Sequence, residues 1–126
     1  MKKLVLDETK QSPKVELDPE NGIFAISGNS FPNNSFRFYL PVLEWLDEYV
    51  KQPNKQTHFS FRISYQNSSS IKMFTEIIKK FETLHLAGHE VSVVWFYLEN
   101  DDDLLQKGKE MRELFKLPFT CKPYTD

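Results

Sequence analysis

The chain has 126 residues, 16 basic and 18 acidic side chains, a net charge of −2 and one cysteine. That length suits one domain, residues 1–126. The well-mixed charge lacks the basic surplus of a nucleic-acid footprint, so no nucleic-acid partner is expected, and a lone Cys121 excludes an internal disulfide.

Hydrophobic residues make up 40% of the chain, with 11 Phe against 4 Gly and 7 Pro, which is material for a packed core rather than a disordered chain. The opening MKKLVLDETK carries lysines with no apolar stretch behind them and does not read as a secretory signal. The longest apolar run, Val93 to Leu98, falls far short of the ~20 residues that cross a bilayer, so no membrane insertion is expected. A single cysteine fits a reducing compartment, and the expected location is the cytoplasm.

In chain order, Leu4 and Leu6 suggest a short strand. Val15 and Leu17 alternate with charged residues, and Gly22 to Ser27 reads as another strand. Asp18-Pro19-Glu20-Asn21-Gly22 between them is turn chemistry, so the two form a hairpin. SFPNNS reads as a loop. A helix follows it to about Lys51, with Val42, Leu46, Tyr49 and Val50 as its apolar stripe and Leu43 and Trp45 beside it. Pro41 predicts that regular helix begins near Phe38 to Leu40, or kinks there. Thr57 to Tyr65 alternates: Phe59, Phe61, Ile63 and Tyr65 share one strand face, and His58, Ser60, Arg62 and Ser64 the other.

After Gln66-Asn67-Ser68-Ser69-Ser70, the residues Ile71, Phe74, Ile77, Ile78, Phe81 and Leu84 recur at helical spacing, and Gly88 suits the end of that helix. Val91 to Leu98 is apolar at both alternating sets of positions, as in a strand covered on both faces. Asp101 to Asp103 fits a helix N-terminus, and Leu104, Leu105, Met111, Leu114 and Phe115 mark a third helix. Pro118 to Tyr124 reads as a last strand, at an edge given its prolines. The expected fold is α/β: an N-terminal hairpin followed by βαβαβ units, with a mixed central sheet and about three helices.

The segment Tyr65 to Lys72 joins an internal strand to an amphipathic helix. In open α/β sheets, ligands gather at the carboxyl ends of strands. A helix start also offers free N–H groups and the positive end of the macrodipole, which suits phosphate. Plain capping competes with that reading, because Asn and Ser are preferred N-caps. Both remain open on the residues alone. The loop Asn29 to Ser35 invites the same two readings.

At Gly28-Asn-Ser-Phe-Pro-Asn-Asn-Ser35, Tyr65-Gln-Asn-Ser-Ser-Ser-Ile-Lys72, Val91-Ser-Val-Val-Trp-Phe-Tyr97 and Phe115-Lys-Leu-Pro-Phe119, the chain resembles the SiaC family of bacterial regulatory phosphoproteins. The resemblance spans nearly the whole chain. It implies a fold similar to STAS domains and a hydroxyl residue, phosphorylated by a partner kinase and dephosphorylated by a partner phosphatase, at the start of the helix after a central strand. It further implies that the unphosphorylated form binds and activates a diguanylate cyclase, raising cyclic di-GMP and favouring biofilm. The phosphoacceptor maps onto Ser68, with Ser69 the lesser candidate. The expected partner surface takes in Asn67, Ser68, Ser69, Ser70 and Lys72, and the earlier loop, expected at the same sheet end, adds Phe31, Asn33 and Asn34 unless it serves only as a turn and helix cap.

Other signals carry less. His85 and His89 lack companion ligands for a metal. His58 reads as solvated, Asp101 to Asp103 lacks calcium-loop spacing, and Cys121 has no activating neighbour. No glycine phosphate loop, nucleophile elbow or dinucleotide fingerprint occurs, so neither cofactor nor catalysis is implied. Two alternatives stand beside the cyclase-activating switch. One is a STAS-type antagonist of an anti-sigma factor using the same phosphoserine; the other is a small ligand-binding module at the polar sheet end.

Overall fold

The computed structural model of the chain describes residues 1–125. Among the described residues, three strands are followed by alternating helices and strands: β1 (Leu4–Leu6), β2 (Lys14–Asp18), β3 (Ile23–Ser30), α1 (Ser35–Tyr49), β4 (Gln56–Gln66), α2 (Ser68–Leu86), β5 (Glu90–Leu98), α3 (Asp102–Leu114) and β6 (Phe119–Tyr124). The strands lie in one sheet in simple chain order, β1 to β6. β1, β2 and β3 are antiparallel neighbours, and β3 to β6 run parallel. The mixed α/β architecture is the one expected.

Each parallel step is bridged by one helix, and successive steps advance in the same direction. All three helices therefore fall on the same sheet face. Their contacts agree. Phe24 of β3 meets Trp45 and Tyr49 of α1, and Phe59 and Phe61 of β4 meet Phe81 and Phe74 of α2. Trp95 of β5 donates its indole N–H to the Leu104 carbonyl of α3 at 3.1 Å. The register aligns Leu17, Phe24, Phe59, Val93 and Phe119 in one row and Val15, Ile26, Phe61 and Trp95 in the next, and these rows are the core.

This arrangement corrects the expectation for β5. Val91, Val93 and Trp95 are buried beneath helices, but Ser92, Val94 and Phe96 face the side that no helix covers. Their partial burial comes from side chains of neighbouring strands. The Arg62 guanidinium lies 4.1 Å from the Tyr124 ring centre and 5.8 Å from that of Phe96. A run apolar on both faces signals cover, and here an arginine stacked on aromatic rings supplies it on the second face.

Two boundaries also differ. β3 continues past Ser27 to Ser30, so Ser30 belongs to the sheet rather than to a loop. A register shift between Gly28 and Asn29, with Gly28 at φ +116°, lets the strand continue at a bulge. α1 begins at Ser35, well before Pro41. The Asn34 side chain accepts from Arg37 N at 2.9 Å and nucleates the first turn. Pro41 lies inside α1 on its exposed side, as does Arg37, whose carbonyl loses its usual helical donor there. Burial of Tyr39, Val42, Leu46 and Tyr49 on the opposite side holds the helix together through that position.

Candidate functional site

The carboxyl ends of β3 and β4 lie side by side, Asn29 opposite Tyr65 and Ser30 opposite Gln66. α1 starts five residues after Ser30 and α2 two residues after Gln66, so both helix starts gather at this end of the sheet. The chain enters α2 through Asn67, whose extended backbone makes it the N-cap. Its Oδ1 accepts from Ser70 N at 2.9 Å and from Ser69 Oγ at 3.1 Å. Its own N–H donates to the Ser30 carbonyl at 3.0 Å, which ties the cap to the sheet.

The three serines have three different surroundings. Ser70 is fully buried. Its hydroxyl donates to the Ser30 carbonyl at 2.9 Å and accepts from Ser30 Oγ at 2.7 Å. Tyr39 OH, 2.6 Å from Ser30 Oγ, supplies the remaining proton. Burial pushes the Tyr39 phenol far above its ordinary pKa, so it stays a donor. Ser69 is exposed but engaged, accepting from Ser35 Oγ at 2.7 Å while donating to Asn67. Ser68 is exposed in the first turn, and among the described residues its hydroxyl makes no hydrogen bond.

The sequence-predicted partner residues divide accordingly. Asn67, Ser68, Ser69 and Lys72 come to one surface. Ser70 does not: it is 0% exposed and supports that surface from beneath, because its hydroxyl closes a buried chain that water cannot reach. Asn34 is spent as the cap of α1, and Asn33 is exposed in the turn before it. Phe31 is half-buried, with its ring edge-on to Tyr65 at 5.5 Å. Tyr65 is 59% exposed despite sharing a strand alternation with Phe59, Phe61 and Ile63, because it lies past the end of the helical cover. Phe36, beside Ser35, is 58% exposed.

Sequence reading took Ser30 and Ser35 only as part of the loop Asn29 to Ser35, without their buried bonding, and missed Tyr39. A signal existed: Ser35, Tyr39, Val42, Leu46 and Tyr49 all occupy the core-facing stripe of α1, so three hydroxyls stood at buried positions and required partners, which Tyr49 finds in Thr57 and the other two at this end of the sheet. Lys107 was missed as well. A shallow depression of about 240 Å³ beside Ser68 is lined by Gln66, Asn67, Ser68, Ile71, Lys72 and Lys107. Its two charged side chains are lysines, one from α2 and one from α3. Gln66 Oε1, in the same wall, is the one buried side-chain polar atom without a hydrogen-bond partner among the described residues. A wider cleft of about 550 Å³ adjoins it, where Lys107 meets Asp101, Asp103 and Glu110.

Among the described residues, no group of His, Cys, Asp and Glu is arranged to hold a metal, and no helix is long and apolar enough to cross a membrane. Partial burial raises the Cys121 thiol pKa, which leaves it a poor nucleophile.

A family model described as SiaC family regulatory phosphoprotein matches residues 6–124. An uncharacterized protein of Pseudomonas aeruginosa (strain UCBPP-PA14) is 26% identical over 126 residues, the full length of both chains. The structure of SiaC of P. aeruginosa superposes with a TM-score of 0.89 at 27% identity, covering 98% of this chain and 100% of that one. A crystal structure of the diguanylate cyclase SiaD in complex with its activator SiaC, also from P. aeruginosa, matches with a TM-score of 0.90 at 26% identity, over 96% of this chain and 99% of that one.

Proposed function

The chain belongs to the SiaC family of regulatory phosphoproteins, and from that membership we propose that it is a phosphorylation-controlled activator of a diguanylate cyclase. It acts by binding, not by catalysis. A relative of the same fold has been crystallised with a diguanylate cyclase as its activator. In this chain the surface around α2's first turn binds the cyclase when Ser68 carries a free hydroxyl, and a phosphate there abolishes binding. The proposed setting is the cytoplasm, with a Ser/Thr kinase and a Ser/Thr phosphatase setting the state of Ser68.

The observation that carries the assignment is the contrast among the three serines. Ser68 is exposed with an unspent hydroxyl, Ser69 is held between Ser35 and Asn67, and Ser70 is buried. A kinase reaching this turn meets one free nucleophile, Ser68. The exposed rings of Tyr65 and Phe36 and the half-buried Phe31 offer the aromatic contacts on which protein interfaces concentrate their energy. A dianion among them would have to be desolvated on docking, a cost larger than most single contacts return.

The test is affinity for the diguanylate cyclase of the same organism, measured by calorimetry. Ser68→Ala is expected to bind as the parent does, and Ser68→Asp at least about tenfold more weakly, on the order of 1.4 kcal/mol. Equal binding by both variants would remove Ser68 from the mechanism.

A further inference from the structure

We infer that Lys107 of α3, with Lys72 of α2, forms a receptor for the phosphate on Ser68, so that phosphorylation ties the start of α2 to α3 as well as adding charge. This rests on Ser68 being the phosphoacceptor. The observation behind it is the depression beside Ser68, into whose lining two separate helices each contribute one lysine and no carboxylate.

Lys72 is four residues beyond Ser68, so the two side chains share a helix face and the ammonium can reach back over the first turn. Lys107 arrives from the other side. In the unphosphorylated chain it lies 3.7 Å from Glu110, an exposed pair of the weak kind. A phosphate carrying about −1.5 to −2 charge and three acceptor oxygens competes well against one solvated carboxylate for that ammonium. The Gln66 amide completes the wall. Its Oε1 is buried without a hydrogen-bond partner, so no bond fixes that oxygen in place and the amide is free to turn and offer an N–H to the phosphate. Asp101, Asp103 and Glu110 line the adjoining cleft rather than the depression, and Lys107 lines both.

The consequence is a two-part switch. Phosphate blocks the Ser68 surface directly. By drawing Lys107 from Glu110 it also changes the charge presented by the cleft between β4 and α3, a surface that Ser68 itself does not touch.

The experiment uses the full-length chain with phosphoserine installed genetically at position 68, which makes it independent of any kinase. The second ionisation of the phosphate is followed by phosphorus NMR against pH. Lysines that hold the dianion lower its pKa below the ordinary value of about 6. Lys107→Gln and Lys72→Gln are each expected to raise it by a few tenths of a pH unit, and the double variant by about the sum. Lys79→Gln is the control. It lies eleven residues along α2, about 16 Å from position 68 and beyond the ~8 Å screening length at physiological salt, and should leave the value unchanged. All three lysines are exposed, so the substitutions threaten no core packing. If Lys107→Gln shifts the phosphate no more than Lys79→Gln does, there is no receptor. Failure of the underlying reading would show separately, as absence of phosphate from Ser68 in protein isolated from its native cells.

Discussion

α2 and α3 both begin with an Asx side chain capping the first turn, yet they answer their positive ends in opposite ways. Asp101 accepts from Leu104 N at 3.0 Å, and Asp102 and Asp103 follow it, so the start of α3 carries fixed negative charge. Asn67 accepts from Ser70 N, and α2 has no acidic residue in its first turn. Neutral hydroxyls stand there instead, one of them free. The start of α3 is electrostatically complete, and the start of α2 carries no fixed negative charge, which leaves its positive end open to the proposed phosphate. The helices also differ beneath that first turn. α2 buries Ser70, Phe74, Ile77, Ile78, Phe81 and Leu84, whereas α3 buries only Leu104, Gly108 and Met111. The helix with the vacant start is the one with the larger buried face, as the proposed switch requires of a surface that keeps its shape while its charge changes.

α3 buries a smaller face than α2, but Gly108 tests how closely that face sits. A Cβ there would stand 2.5 Å from Trp95 Cδ1 and 2.9 Å from Cys121 Sγ, against a buried ring that cannot swing away. Replacing a helical glycine by alanine ordinarily gains up to about 1 kcal/mol. Here the overlap dominates, and Gly108→Ala is expected to cost about 1–3 kcal/mol by urea unfolding. A more stable variant would mean that α3 is not closely seated on the sheet.

The buried hydroxyl chain under α2 gives an effect of similar or slightly smaller size. Ser70→Ala removes both the donor to the Ser30 carbonyl and the acceptor for Ser30 Oγ, leaving a buried hydroxyl short of a partner. The expected loss is about 1–2 kcal/mol. Ser68→Ala, on a hydroxyl without bonds, should stay within about 0.5 kcal/mol of the parent. Similar losses for the two would contradict the separate roles of these neighbouring serines.

The caps come next. Asn67→Ala and Asp101→Ala should each cost about 1 kcal/mol. The loss at Asp101 should shrink as salt is raised, because part of it is charge, while the loss at Asn67 should not. Parallel salt dependence would contradict the electrostatic difference between the two starts.

How much of this was legible depends on how far apart the cooperating residues lie. The alternation of Phe59, Phe61 and Ile63 and the stripe from Ile71 to Leu84 are periodicities within one element, and both are buried as they read. The polar segment after β4 was legible as a helix start for the same reason. Ser30, Tyr39 and Ser70 form one network, and Ser35 meets Ser69 and Ser70 beside it, across separations of up to 40 residues, and Lys107 shares a depression with Ser68 from 39 residues away. Such pairings depend on crossovers that no local pattern encodes. Pro41 misled for a related reason. Its local cost is real, but the cap at Asn34 and the buried stripe of α1 outweigh it.

The smallest expected change separates an interface effect from an unfolding effect. An acidic residue in a helix's first turn stabilises by about 0.3–1 kcal/mol at low ionic strength. α2 lacks one and α3 has two. Ser68→Asp should therefore raise the melting temperature by about 1–4 °C, and the gain should fade as salt is raised. The same variant is expected to lose cyclase binding. Lost binding in a chain that has become more stable cannot be blamed on damage to the fold, and it leaves the charge itself as the cause. A fall in melting temperature would mean that the first turn of α2 is already electrostatically satisfied. Weakened binding would then reflect a disturbed helix start, and the vacancy that distinguishes α2 from α3 would not exist.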